Sequence, residues 1–216
     1  MIILGLTGSI AMGKSVAAGQ FRQQGVPVYD ADAAVHRLLG PQGAAVSPVE
    51  LAFPGVRRDT PRGSAIDRAA LGRIVFADKA GLRRLESILH PLVRGEERRF
   101  LAAAARRRCR LVVLDIPLLF ETGSESRCDA VAVVSAPTAV QRQRALRRPG
   151  MDPARLATIL AAQTPDAEKR RRADFIIQTG LGRRFSLRAI RRILAVTQHR
   201  RGRRGLPRPS RERRHA

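Results

Sequence analysis

Short apolar runs alternate along the chain with longer stretches in which apolar residues recur every three to four positions. The runs are Ile2-Ile3-Leu4-Gly5-Leu6-Thr7, Val26-Pro27-Val28-Tyr29, Arg110 to Asp115, Asp129 to Val134 and Ala173 to Ile177. Near-continuous apolar segments of this length read as strands buried on both faces of a parallel sheet. Helical spacing appears in Val35, Leu38 and Leu39, in Leu71, Ile74, Val75 and Phe76, in Leu82, Leu85, Ile88 and Leu89, and in Leu187, Ile190, Ile193 and Leu194. Strands alternating with helices predict an α/β fold with five parallel strands flanked by helices. His90-Pro91 is expected to interrupt the helix that begins at Asp78, because proline lacks an N–H and disfavours a helical residue before it. Residues 40–65 are rich in Pro, Gly and Ala and read as an irregular connection or flap.

Between the first strand and the first helix lies Gly8-Ser9-Ile10-Ala11-Met12-Gly13-Lys14-Ser15, which fits G-x-x-x-x-G-K-[ST]. Gly8 and Gly13 permit the sharp turn that points backbone N–H groups inward at phosphate oxygens. The helix that follows, from Val16 on, turns its positive end to the same anion. Lys14 is placed to reach β- and γ-phosphates, and the Ser15 hydroxyl to ligate Mg²⁺.

Carboxylates then appear where chemistry on a phosphate needs them. Asp30-Ala31-Asp32 follows the second strand, and Asp115 ends the third. In parallel α/β sheets ligands gather at the carboxyl ends of strands. Asp30 is open between capping a helix and metal or base duty. Asp32 is read as catalytic, and Asp115 as an acidic element that helps organise Mg²⁺. After the fourth strand Pro137 opens an Arg-loaded helix, Pro149-Gly150 breaks it, and a second helix reaches Gln163. A basic helix–turn–helix here suits a lid over about 137–163 that closes on the transferring phosphoryl group. Arg144 and Arg148, four apart, share one side of it, whereas Arg142 and Arg147 read as a solvated face.

Composition changes the picture in one respect. The 216 residues carry 41 Lys and Arg against 18 Asp and Glu, a formal net charge of +23. So basic a chain has to be weighed as a nucleic-acid binder. Yet there is no Trp and one Tyr, so stacking aromatics are scarce, and no reading motif accompanies the charge. Eight arginines lie in 199–216, which reads as a disordered tail able to make nonspecific nucleic-acid contacts. Cys109 and Cys128 form neither a disulfide framework nor a metal-ligand spacing. No run is long enough for a transmembrane helix, and the N-terminus reads as strand rather than cleavable signal, so a cytoplasmic enzyme with no membrane partner is expected. No surface stripe defines an oligomer.

The ordered set of motifs resembles the dephospho-CoA kinase family from about Ile2 to Thr197. The pieces are Leu6-Thr7-Gly8 into Gly13-Lys14-Ser15, Asp30-Ala31-Asp32, Asp67-Arg68-Ala69-Ala70-Leu71 and Val75-Phe76. Leu89-His90-Pro91-Leu92, Pro117-Leu118-Leu119-Phe120-Glu121, Arg144, Arg148 and Gln163 follow in order. The resemblance implies a three-layer P-loop kinase fold over 1–198, with a lid and a helical acceptor-side region at about 64–107. It implies transfer of the γ-phosphoryl of ATP to the ribose 3′-hydroxyl of dephospho-CoA, the last step of coenzyme A synthesis. By this likeness Asp32 is the candidate base, with Lys14 and Arg144 as further catalytic groups. Gly8, Ala11, Met12, Gly13, Lys14, Ser15, Val16 and Arg148 would bind ATP. Asp30, Arg68, His90, Pro117, Leu118 and Glu121 would sit near dephospho-CoA, and Ser15 and Asp115 near Mg²⁺. Without the resemblance the residues define only a P-loop phosphotransferase with a lid, and another small-molecule kinase or a basic nucleic-acid-binding P-loop protein are the alternatives. Two departures stand out. Ser9, Ala11 and Met12 occupy positions often held by Gly, Gly and Ser, and Thr179 stands where the family often has Asn. The signature glycines and Gly13-Lys14-Ser15 remain, so phosphate binding is expected to survive.

Overall fold

The structure, a computed structural model, describes residues 1–198. The expectation of a disordered tail falls on 199–216, outside the described residues. In chain order the elements begin with β1 (Ile2–Thr7), α1 (Lys14–Gln23), β2 (Val28–Asp30), α2 (Ala31–Leu38) and α3 (Val46–Ala52). Then come β3 (Arg57–Thr60), β4 (Gly63–Ile66), α4 (Arg68–Ala77), α5 (Lys79–Arg106) and β5 (Leu111–Asp115). After a 3₁₀ turn at Ser124–Arg127 follow β6 (Ala130–Ser135), α6 (Thr138–Leu146), α7 (Pro153–Ala161), α8 (Asp166–Arg172), β7 (Phe175–Gln178) and α9 (Arg183–Gln198). These divide into two compact units, Met1–Tyr29 with 104–198, and Asp30–Ala103.

The first unit is built on the five-stranded parallel sheet that the apolar runs predict, in the order β2-β5-β1-β6-β7. β1 is central, pairing Ile2 with Leu111 on one side and Leu4 with Ala130 on the other. One face of the sheet packs Leu4, Leu6, Val113, Ala132 and Ile177 against Phe21 of α1 and Ile190 and Ile193 of α9. All five residues of β5 and all six of β6 are buried, which is why those runs carry no polar alternation. On the other face a methyl at Gly5 would lie 2.8 Å from Cys128 Sγ and 3.0 Å from Leu119, so glycine lets the layers close.

The second unit has its own core of Leu38, Leu39, Val46, Val49, Phe53, Val56, Ile66, Leu71, Val75, Leu85 and Leu89. Residues 40–65 are ordered here, correcting the irregular flap expected from their composition. They form α3 and the β3/β4 hairpin, in which Arg57 faces Ile66 and Thr60 faces Gly63. Arg57-Arg58-Asp59-Thr60 has no apolar alternation because three of its four residues are exposed, so a sequence periodicity could not reveal it. Side chains hold it instead. Glu50 accepts from the N–H groups of Gly55 (3.2 Å) and Arg57 (2.8 Å), and Thr60 Oγ1 donates to the Gly63 carbonyl at 2.6 Å.

Aspartates start α2, α4, α5 and α7. Asp30 caps α2 through Ala33 N–H, Asp67 caps α4, and Asp152 caps α7 with Pro153 in its first turn. Asp78 accepts from Ala80 and Gly81 at the head of α5 (both 2.9 Å). The expected break at His90-Pro91 does not occur, since α5 runs unbroken over 28 residues with Pro91 inside it. A helix of that length can forgo the one hydrogen bond that Pro91 cannot donate when Leu85 and Leu89 anchor the same stretch in the core.

Candidate active site

The loop between β1 and α1 follows the carboxyl end of the central strand, where such folds place ligands. A Cβ on Gly8 would sit 2.6 Å from the Val134 carbonyl oxygen, so no other residue fits. Gly13 has φ +93°, and Ala11 has φ 61°, a left-handed conformation that costs a residue with a Cβ about 1–2 kcal/mol. The neighbours that hold this shape come from α6, α7 and the segments around them. Ile10 N–H donates to Gln163 Oε1 (3.0 Å), and Ile10 carbonyl accepts from Gln141 Nε2 (2.9 Å). Ile10 and Ala11 pack with Ala145, Leu146, Leu156 and Leu160. Met12 is buried; its sulfur accepts from Ala136 N–H at 3.1 Å and its carbonyl from the Thr179 hydroxyl at 2.6 Å. The backbone N–H groups of Gly13, Lys14 and Ser15 have no protein acceptor among the described residues. They stand at the positive end of the ten-residue α1, three donors on consecutive residues suited to phosphate oxygens.

Lys14 Nζ lies 2.6 Å from Asp115 Oδ1 at the end of β5, with side-chain exposures of 17% and 3%. The ammonium is thereby drawn to the strand ends, and the buried carboxylate is compensated. Ser15 and Val16 are exposed on the first turn of α1. Arg144 is half-buried and gives both terminal nitrogens to Thr179, Nη1 to the hydroxyl (3.1 Å) and Nη2 to the carbonyl (2.9 Å). Arg148 is exposed just beyond the end of α6.

The turn after β5 is fixed from below by Thr7 Oγ1, which donates to the Pro117 carbonyl at 2.8 Å, while Leu118 is exposed. Glu121 turns inward. It accepts from Thr164 N–H (2.8 Å) and pairs at 2.9 Å with Lys169, whose side chain is fully buried. Burial alone would raise the Glu121 carboxyl, but Lys169 and the N–H groups of Glu121 and Thr164 outweigh it and hold it below the ordinary glutamate range. Arg172, stacked 4.3 Å above the Phe120 ring and paired with Glu125, closes the same corner.

In the second unit Asp30 spends one oxygen on the α2 cap, at 2.9 Å from Ala33 N–H. Asp32, two residues on, is exposed, and its carboxylate has no hydrogen-bond partner among the described residues. Arg68 is exposed at the start of α4 and its guanidinium meets the His36 ring of α2. His90 is exposed on α5. The sequence reading did not single out Gln141 or Lys169, and gave Thr179 no task on the loop. Each acts on a segment far away in the chain, as with Thr179 and Met12, 167 residues apart, and no local pattern marks such a contact.

A strand, a phosphate loop closed by Gly-Lys-Ser and a parallel sheet of this order define a P-loop phosphotransferase. Sequence comparison narrows the class: the dephospho-CoA kinase family profile matches residues 2–182, and the chain belongs to that family. It is 62% identical over 170 residues to the dephospho-CoA kinase of Paramagnetospirillum magneticum, covering 79% of this chain and 78% of that one. To the dephospho-CoA kinase of Rhodospirillum rubrum it is 55% identical over 206 residues, covering 94% and 96%. The solved structure of dephospho-CoA kinase from Campylobacter jejuni superposes with a TM-score of 0.67 at 25% identity, covering 91% of this chain and 97% of that one.

Proposed function

We propose that this chain transfers the γ-phosphoryl group of ATP to the ribose 3′-hydroxyl of dephospho-CoA, giving coenzyme A and ADP. The observation that carries the reading is the row of Gly13, Lys14 and Ser15 N–H donors beside the Lys14–Asp115 pair, in a chain of this family. The loop donors and Lys14 hold the β- and γ-phosphates and meet charge that builds on them as the bond between the bridging oxygen and the γ-phosphorus breaks. The 3′-oxygen forms the new bond to that phosphorus in line, and ADP leaves. Asp32, exposed and without a protein partner among the described residues, takes or orients the hydroxyl proton. Arg144 and Arg148 add positive charge on the lid side, and Arg68, His90, Pro117 and Leu118 are the groups assigned to dephospho-CoA, whereas Glu121, turned inward to Lys169, braces that turn instead. The donor set suits Mg²⁺, a hard cation that keeps most of its waters and needs one or two protein oxygens, which Ser15 and Asp115 would supply. When bound, the ion would supply positive charge that offsets the phosphates. No helix among the described residues is long and apolar enough to cross a membrane. We place the enzyme in the cytoplasm with its water-soluble substrates.

The test is ADP release from ATP and Mg²⁺ with dephospho-CoA, against adenosine, AMP and no acceptor, with Lys14→Ala as control. Stimulation by dephospho-CoA alone, lost in the variant, is the expected result. Equal stimulation by another acceptor would move the substrate assignment there.

A further inference from the structure

Thr179 directly follows β7 and is 6% exposed. Its N–H donates to the Ser135 carbonyl at 2.9 Å, one more rung beyond the β6–β7 pairs, so its backbone is fixed by the sheet. Its hydroxyl has one proton to give. Arg144 can only donate, so toward Arg144 Nη1 the hydroxyl oxygen accepts, and the proton is left for a carbonyl. Two are near, Met12 at 2.6 Å and Ser135 at 3.4 Å, and the shorter one takes it.

That bond bears on the phosphate donors through the geometry of one peptide. In a planar trans peptide the C=O and N–H point in opposite directions. Tying the Met12 carbonyl to Thr179 therefore aims the Gly13 N–H the other way, away from Thr179. The 12–13 peptide is also the one the chain could most easily turn over. Rotating it changes ψ of Met12 and φ of Gly13, and glycine tolerates either sign of φ. Gly13 at φ +93° is so close to Thr179 that a Cβ there would lie 3.1 Å from Oγ1 and 3.3 Å from both Cβ and Cγ2. A peptide whose glycine permits either orientation thus sits directly against the Thr179 hydroxyl that holds it.

We propose that Thr179 is a positioning residue for the nucleotide: its hydroxyl locks the 12–13 peptide so that Gly13 presents its N–H in line with those of Lys14 and Ser15. Arg144 orients that hydroxyl and so links α6 to the phosphate loop through Thr179. The inference rests on the reading that this loop holds the phosphates of ATP. It assigns Thr179 an effect on phosphate affinity, not on the acceptor.

The experiment compares Thr179→Val, which keeps the shape and removes the hydroxyl, with Thr179→Ser, which keeps the hydroxyl. The full chain is used, with calorimetric titration of ADP and of dephospho-CoA and steady-state kinetics in ATP. Removing a buried hydroxyl bond is expected to weaken ADP binding about 10-fold and to raise KM for ATP by a similar factor. Affinity for dephospho-CoA is expected to stay within about 2-fold, and Thr179→Ser to recover ADP affinity to within about 3-fold. A merely structural brace would lower thermal stability without separating the two ligands. Should the valine variant fail to fold, Thr179→Ala removes the same bond without any bulk, and the same split is expected. Wild-type ADP affinity in either folded variant, or equal losses for ADP and dephospho-CoA, would overturn the proposal. Absence of ADP binding by the wild-type chain would instead overturn the reading of the loop itself.

Discussion

From Ser9 to Gly13 the phosphate loop is gripped by its surroundings: Gln141 and Gln163 hold the two sides of Ile10, Ala136 and Thr179 hold Met12, and Ala11 sits among α6 and α7 side chains. Asp32, Arg68 and His90, three of the residues proposed to meet dephospho-CoA, are exposed, and among the described residues Arg68 alone of the three has a side-chain partner, His36. The contrast says where each end of the reaction takes its order from. Donors for the nucleotide are set in place before it arrives, so little reorganisation is left for the moment of transfer. Side chains on the acceptor side keep rotamer freedom that binding must remove, at about 0.5–1.5 kcal/mol for each long side chain immobilised.

The bluntest way to break this contrast is Lys14→Ala. It removes a charge from the prearranged end and leaves Asp115 buried without it, so kcat is expected to fall about 10³-fold, with ATP affinity also reduced. Unchanged steady-state constants would show that the loop is not where the phosphates sit. Asp32→Asn probes the open end. Its kcat is expected to fall about 10²-fold or more while ATP affinity, measured by titration, stays as it was. Near-normal turnover would remove Asp32 as the base.

Smaller effects sharpen the comparison on the braced side. Lys169→Met strands Glu121 in a half-buried place and is expected to cost about 3 kcal/mol in denaturant unfolding. Glu121 also sets an acid-side signature. Because its folded carboxyl lies below the ordinary range, its stabilisation is present above the unfolded pKa and disappears as pH falls through the lowered folded value. Glu121→Gln should flatten that limb of the stability–pH curve, and an unchanged limb would mean the pair contributes nothing there. The smallest change expected is for Ala11→Gly. Relief of the left-handed backbone, about 1 kcal/mol, is offset by the lost buried methyl and by the looser unfolded chain, leaving stability within about 1 kcal/mol of wild type. A loss above about 2 kcal/mol would show that the Ala11 methyl, more than the glutamines, holds the loop.

Much of the first unit is legible in the sequence because its inner strands β1, β5 and β6 are buried on both faces and each is followed by a helix or a diagnostic turn. β5 and β6 read as unbroken apolar runs for that reason. The second unit hides more. Its hairpin exposes Arg57, Arg58 and Asp59 and is held by Glu50, so it carries no periodicity. Pro91 argues for a break that tertiary packing overrides. In the loop the glycines, Lys14 and Ser15 announce phosphate binding, whereas its braces come from α6, Gln163 and Thr179, chosen by three-dimensional proximity alone. Arg144, read as a lid group for the phosphoryl, makes its contacts to Thr179, a bond no spacing could predict.

The central place of β1 has a consequence for the birth of the chain. Residues 2–7 are synthesised about a hundred residues before their partners, Leu111–Asp115 and the strand from Ala130. At about 5–20 residues per second a ribosome takes about 5–20 s to supply the first of those neighbours. Through that interval an apolar strand has no sheet to join, while Asp30–Ala103 emerges with the makings of its own core. The inserted unit can therefore collapse while β1 is still waiting, and a chain arrested before residue 111 would present Ile2, Leu4 and Leu6 to whatever binds nascent apolar segments.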